Sequence, residues 1–181
     1  PVPKEDGVHW VISSEWPRDP ESKGIILFDE LTAADRTLQV AAYEMILDRK
    51  LGDLYTVPKG WYIIGAGNRT SDRAASVTLS SALANRFMHV ELEANVKDWN
   101  NWALKNNIQL DVIGFIASNP DYLFNMDGNP GRGFPTPRSW ERVSTMLKLA
   151  ERNGYNEIVD IAIEGLVGIS AKEAFNGYIE K

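Results

Sequence analysis

Gly24-Ile25-Ile26-Leu27-Phe28-Asp29-Glu30 is the stretch on which the reading of this chain turns. Four large apolar residues run without a break and end on two adjacent carboxylates. An uninterrupted apolar run of this length reads as a strand buried on both faces, as in a parallel sheet. The carboxylates then stand at its C-terminal end, where open α/β sheets place their ligands. Side chains alternate along a strand, so Asp29 and Glu30 point to different sides. That argues against a facing acid pair of the glycosidase kind. It suits one carboxylate reaching a metal ion and its neighbour reaching a water. The plainer alternative is a strand that runs into the polar start of a helix, and the stretch alone leaves both open.

Working outward, a helix is expected after Glu30, with Thr32 as its cap and Asp35 at the capping-box position. Its packing face would carry Ala34, Leu38, Ala41, Ala42 and Met45, and it should stop near Gly52. Residues 53–60 read as a small hairpin. A second buried strand follows, Trp61-Tyr62-Ile63-Ile64, and runs into Gly65-Ala66-Gly67-Asn68. A polar loop over 69–75, a short helix over 76–84 closed by Asn85-Arg86-Phe87, and a third, alternating strand at Met88–Leu92 complete the pattern. Strand, helix, strand, helix, strand implies a parallel sheet with right-handed crossovers. Upstream, residues 1–23 are broken by four prolines and read as a loop or hairpin, with a strand-like piece at Val8–Ile12. Trp10 and Trp16 are its expected anchors.

Beyond Glu93 the pattern changes. Helices are expected at 96–106, 109–118, 139–153, 157–167 and 171–180, with a Gly- and Pro-rich loop at 119–137 and no strand. The fold class is therefore α/β over residues 1–94, followed by an all-α second domain over 95–181.

Composition narrows the function classes. The 181 residues are 44% hydrophobic and 24% charged, enough for a real core. The net charge of −6, with no basic stripe, disfavours sequence-independent nucleic-acid binding. There is no cysteine, hence no disulfide and no thiolate zinc site, which fits a reducing compartment; a cytoplasmic location is the expectation. The two histidines, His9 and His89, are isolated and read as structural. No apolar run approaches a membrane span. The chain opens on Pro1 rather than Met, so a fragment or processed product is expected.

Four segments in this order carry a resemblance. They are ILFDE (26–30) with its continuation LTAADRTLQVAAYEMILDRKLG (31–52), GAGN (65–68), SSALANRF (80–87) and FPTPRSWERV (134–143). Together they resemble the AAA+ ATPases, and within them the MoxR-type family, over roughly residues 24–150. The first looks like a Walker B strand, the second like a sensor-1 strand end, the third like the segment ending in an arginine finger, and the fourth like a sensor-2 motif opening a lid helix. The fold thus implied is a partial AAA+ core over 1–94 and a helical lid over 95–181.

The resemblance implies an ATPase using ATP and Mg²⁺. Asp29 would hold the Mg²⁺ ion, and Glu30 would orient or deprotonate the attacking water. Asn68 would fix the same water, and Arg86 would be the finger reaching a neighbouring subunit's nucleotide. Arg138 would meet phosphate oxygens from the first turn of its helix, capped by Thr136 with Pro137 at the first helical position. Arg69 and Arg73 flank the sensor loop and are left as solvated or interfacial. The family works as a ring, commonly a hexamer, remodelling a protein client, often beside a protein with a von Willebrand factor A domain.

One departure stands out. No G-x-x-x-x-G-K-[ST] occurs, and Gly is nowhere followed by Lys, so the phosphate-cradling loop is not among these residues. In the family that loop lies upstream. The expected fold sets its strand between the Walker B side of the sheet and the sensor-1 neighbour, so apolar faces and edges would be left uncovered here. A non-hydrolysing interaction module and a nucleic-acid-acting AAA+ protein are the competing readings.

Overall fold

The computed structural model describes residues 12–68, 79–126 and 133–180, with Asn156 by its backbone alone, and gives the backbone of residues 2–4 and 7–9. The expectations for Trp10, Arg69, Arg73, the opening of the short helix at 76–78 and the middle of the 119–137 loop lie outside the described residues. The chain mixes helix and strand and divides into two compact units, residues 1–90 and 91–181, the sequence having suggested a boundary near 94.

In the first unit, β1 (Val2–Lys4) and β2 (Gly7–His9) form an antiparallel hairpin. β3 (Lys23–Phe28) pairs in parallel with β6 (Gly60–Gly65) over six residues, Lys23 opposite Gly60 through Phe28 opposite Gly65. The two strands are joined by helix α1 (Arg36–Asp48) and by a hairpin of two-residue strands, β4 (Lys50–Leu51) and β5 (Tyr55–Thr56). Direct pairing of β3 with β6 corrects the expectation that a phosphate-loop strand separates them. A helix of four residues, α2 (Ser81–Ala84), follows.

The apolar run of β3 is covered on one face only, which corrects the reading of a strand buried on both. Ile26, Phe28 and Ile63 turn towards small clusters built on Met45, Tyr55 and Val57 and on Leu31, Ala42 and Leu83. Trp16 joins the first of these, its ring edge-on to Tyr55 at 5.4 Å. On the other face Ile25 and Leu27 of β3 lie beside Tyr62 and Ile64 of β6, and all four are exposed.

Met88–Leu92, expected as a third strand, forms none, and Met88, Val90 and Leu92 are exposed. The physical reason is that a strand exists only against a neighbour that takes up its backbone groups. β3 occupies one edge of β6, and no described strand lies on the other. Alternation of apolar residues alone does not supply that partner.

Helix α1 also starts later than expected. Asp35, not Thr32, is its cap, its side chain accepting from the Thr37 and Leu38 amides. Its buried residues are Gln39, Ala42 and Met45, while Leu38 and Ala41, expected on the packing face, are exposed. The helix closes at Asp48 because Arg49 takes a left-handed conformation, φ 55°, and its guanidinium donates to the Pro58 and Trp61 carbonyls at 2.8 Å each.

In the second unit, α3 (Val96–Lys105), α4 (Leu110–Ser118), α5 (Pro137–Asn153), α6 (Val159–Val167) and α7 (Ile169–Ile179) surround one core, and no strand occurs among its described residues. Phe115 sits at its centre, within 6 Å of the rings of Tyr122, Trp140, Phe175 and Tyr178. Trp140 keeps its indole N–H satisfied by the Tyr122 carbonyl at 2.6 Å. No described helix is long and apolar enough to cross a membrane.

Candidate functional site

The parallel pairing of β3 and β6 brings their C-terminal ends side by side, and both chain segments then turn. Two backbone bonds tie the turns together: the Ala66 amide donates to the Phe28 carbonyl at 2.9 Å, and the Leu31 amide donates to the Ala66 carbonyl at 2.8 Å. Asp29 and Glu30 stand between these ties, both exposed. Asp29 Oδ1 accepts from the Glu30 amide at 3.0 Å. Glu30 holds a left-handed backbone with φ 53°. For a residue other than glycine that costs about 1–2 kcal/mol, and such strain concentrates where a side chain must be aimed.

The strain accompanies a definite contact. Asn68 Nδ2 donates to the Glu30 carboxylate, at 3.1 Å to Oε2 and 3.5 Å to Oε1. Residues 38 positions apart thus meet at the strand ends, and Asp29 adjoins them in the chain. Its free oxygen suits a Mg²⁺ ion, which takes one or two protein carboxylates and completes its shell with water and substrate phosphate. No described group of three or more His, Cys, Asp or Glu could hold a metal by itself.

Arg86 is engaged elsewhere in the same unit. It follows α2 and donates to the Ala82 carbonyl at 2.7 Å, with its guanidinium 5.1 Å from the centre of the Tyr43 ring. α2 is capped by Ser80, whose hydroxyl accepts from the Leu83 amide at 3.2 Å. His89, read as structural, holds the same segment through a ring nitrogen 2.8 Å from the Ala84 carbonyl.

Arg138 belongs to the second unit. Thr136 caps α5, its hydroxyl accepting from the Ser139 amide at 2.9 Å, while the Ser139 hydroxyl accepts from the Thr136 amide at 2.7 Å. Pro137 occupies the first helical position. Arg138 follows it, exposed and without an ion pair to Glu141 or any other described carboxylate. A cation there is opposed by the helix dipole by about 0.3–1 kcal/mol, and an anion is the partner that would relieve it.

Three features escaped the sequence reading. The glycines of Gly65-Ala66-Gly67 are close-approach points: a Cβ at Gly65 would stand 3.1 Å from Leu31 Cδ2 and 3.3 Å from Phe87 Cζ, and one at Gly67 would overlap the Thr32 side chain. Small residues two apart at a strand end were the available signal. Tyr43 as a platform for Arg86 was legible only as an aromatic on a helix, and the left-handed Glu30 had no sequence signal. The chain matches no known family profile, no curated protein and no solved structure.

Proposed function

We propose that this chain is part of a MoxR-type AAA+ ATPase, comprising a partial α/β core and a helical lid. The observation that carries the reading is the Asn68–Glu30 contact beside Asp29 at the paired ends of two parallel strands. Phosphoryl transfer to water needs little covalent help from a protein and depends on positioning and charge. In this reading Glu30 takes up the proton of, or orients, the attacking water, and Asn68, which both donates and accepts, fixes that water together with Glu30. Asp29 holds Mg²⁺, which neutralises charge on the phosphate oxygens. Arg138 meets the nucleotide phosphates. Arg86 leaves Tyr43 and serves a neighbouring subunit of a ring, of six copies in keeping with the resemblance, that remodels a protein client beside a von Willebrand factor A domain partner. The phosphate-cradling loop is contributed by sequence outside these 181 residues.

The test uses the full-length protein. Glu30→Gln retains nucleotide binding and loses most hydrolysis, while Arg86→Ala loses ~10³–10⁵ in rate with binding little changed. Mixed rings of the two inactive variants regain part of the activity, because an intact Arg86 then faces an intact Glu30 at some interfaces. Parental hydrolysis in Glu30→Gln, or mixed assemblies that form and recover nothing, overturns the assignment.

One observation favours a second reading. The missing G-x-x-x-x-G-K-[ST] also fits an interaction module that never hydrolyses nucleotide. A full-length protein whose complete sequence lacks the loop, and which binds no ATP by titration calorimetry, selects that reading.

A further inference from the structure

Thr32 lies two residues beyond Glu30, in the turn closed by the Ala33 amide donating to the Glu30 carbonyl at 2.8 Å. Its hydroxyl oxygen is shielded from solvent and has no hydrogen-bond partner among the described residues. The side chain is pressed against the bare Cα of Gly67. A Cβ added there would fall closest to Thr32 Oγ1, then 2.7 Å from Cγ2 and 3.0 Å from Cβ. Neither segment is free to retreat, because the Leu31 amide is bonded to the Ala66 carbonyl one residue before the contact. One residue after it, Asn68 reaches back to Glu30. Glu30, Leu31 and Thr32 on one segment and Ala66, Gly67 and Asn68 on the other thus form a closed circuit of one backbone bond, one packing contact and one side-chain bond.

We propose that Thr32 is a positioning residue of this site: the shape of its side chain against Gly67 sets the approach of Asn68 to Glu30. The proposal rests on the reading above, in which those two groups share the attacking water. A shielded hydroxyl without a partner is less favourable than a satisfied one, so hydrogen bonding does not explain the residue; its branched shape does. A misplacement of about 1 Å in a positioned catalytic pair is worth about a hundredfold in rate, and an extra methyl at Gly67 forces a displacement of that order.

The experiment compares four variants of the full-length protein by steady-state hydrolysis and by the side-chain amide resonances of Asn68. Gly67→Ala is expected to lower kcat about tenfold to a hundredfold, with KM for ATP little changed and the Asn68 amide signals displaced. Thr32→Ala, which folds without any overlap, leaves a gap and is expected to lower kcat severalfold with the same signals displaced. The double variant Thr32→Ala/Gly67→Ala removes the hydroxyl and the methyl that the added Cβ would overlap most closely and recovers at least tenfold over Gly67→Ala. Thr32→Val restores the branched shape and recovers most of what Thr32→Ala loses. Failure of the double variant to improve on Gly67→Ala, or a Thr32→Val no better than Thr32→Ala, overturns the proposal. A parental protein that hydrolyses no ATP overturns the functional reading instead; the Asn68 resonances then still report whether Thr32 sets that contact.

Discussion

The two units of this chain solve the burial problem differently. Among the described residues, the helical unit gathers fourteen buried residues into one cluster, while the sheet unit holds two clusters of three. In the helical unit every aromatic at the centre has aromatic neighbours, as Phe115 has in Trp140 and Phe175. In the sheet unit an apolar row, Ile25, Leu27, Tyr62 and Ile64, faces outward. A helix satisfies its backbone within itself and needs partners only for one stripe. A strand needs partners for its edges and, in a parallel sheet, cover on both faces. The unit made of strands is therefore the one whose packing depends most on what else is present.

The largest effect expected from this contrast is at Trp140, which is fully buried. Trp140→Ala should lower the stability of the helical unit by about 3–5 kcal/mol, measured by urea unfolding followed by circular dichroism. Met45→Ala, in one of the small clusters, should lie near the lower end of the range for such truncations, about 2 kcal/mol. Equal losses at the two sites would break the comparison, since the small cluster would then be as well supported as the large one.

Next comes the cap of α5. Thr136→Ala removes the acceptor for the Ser139 amide and should cost about 1 kcal/mol, seen in the same unfolding experiment. Thr136→Ser keeps the hydroxyl and should recover most of it. A smaller effect is expected at Tyr43. Replacing it with Leu removes the ring under Arg86 and should cost about 0.5–1 kcal/mol, whereas Tyr43→Phe retains the ring face and most of the contact. The displacement of the Arg86 side-chain resonances in Tyr43→Leu but not in Tyr43→Phe separates this from a general loss of packing.

The same contrast explains what could be read from the sequence. Each expected helix of the second unit has bounds within two residues of the observed ones, because periodicity and caps such as Thr136-Pro137 are local signals. Both apolar runs of the sheet were also legible as strands. Their coverage was not: whether Ile25 and Leu27 are buried depends on elements far away in the chain. Met88–Leu92 fails for the same reason, its alternation being correct and its neighbour absent among the described strands. The candidate site was legible where residue type carries the chemistry, at Asp29, Glu30 and Asn68. It was illegible where backbone conformation carries it, at the left-handed Glu30 and at the Thr32–Gly67 contact. The Thr32 and Asp35 assignment shows a local signal misread, since either residue could cap a helix, and here the chain first makes the Glu30–Ala33 turn and the helix is capped by Asp35.

The smallest expected effect tests the comparison most directly. Ile25 is 60% exposed on the outward face of β3, beside Tyr62 across the strand pair. Truncating a residue so placed removes little buried surface, so Ile25→Ala in this 181-residue chain should change stability by no more than about 0.5 kcal/mol. The neighbouring Ile26, turned inward and partly buried against the Met45 cluster, should lose more on the same truncation, about 1–2 kcal/mol, at or just below the lower end of the range for fully buried aliphatic side chains. Measuring both variants in this chain and again in the full-length protein turns the face itself into the readout. In the chain, a large loss at Ile25 contradicts the one-sided sheet. In the full-length protein, a loss at Ile25 that rises towards that at Ile26 means that further sequence covers the face. An Ile25 value that stays near zero in both means that the sheet works with one side open, and the difference between the two units is then a property of the finished molecule.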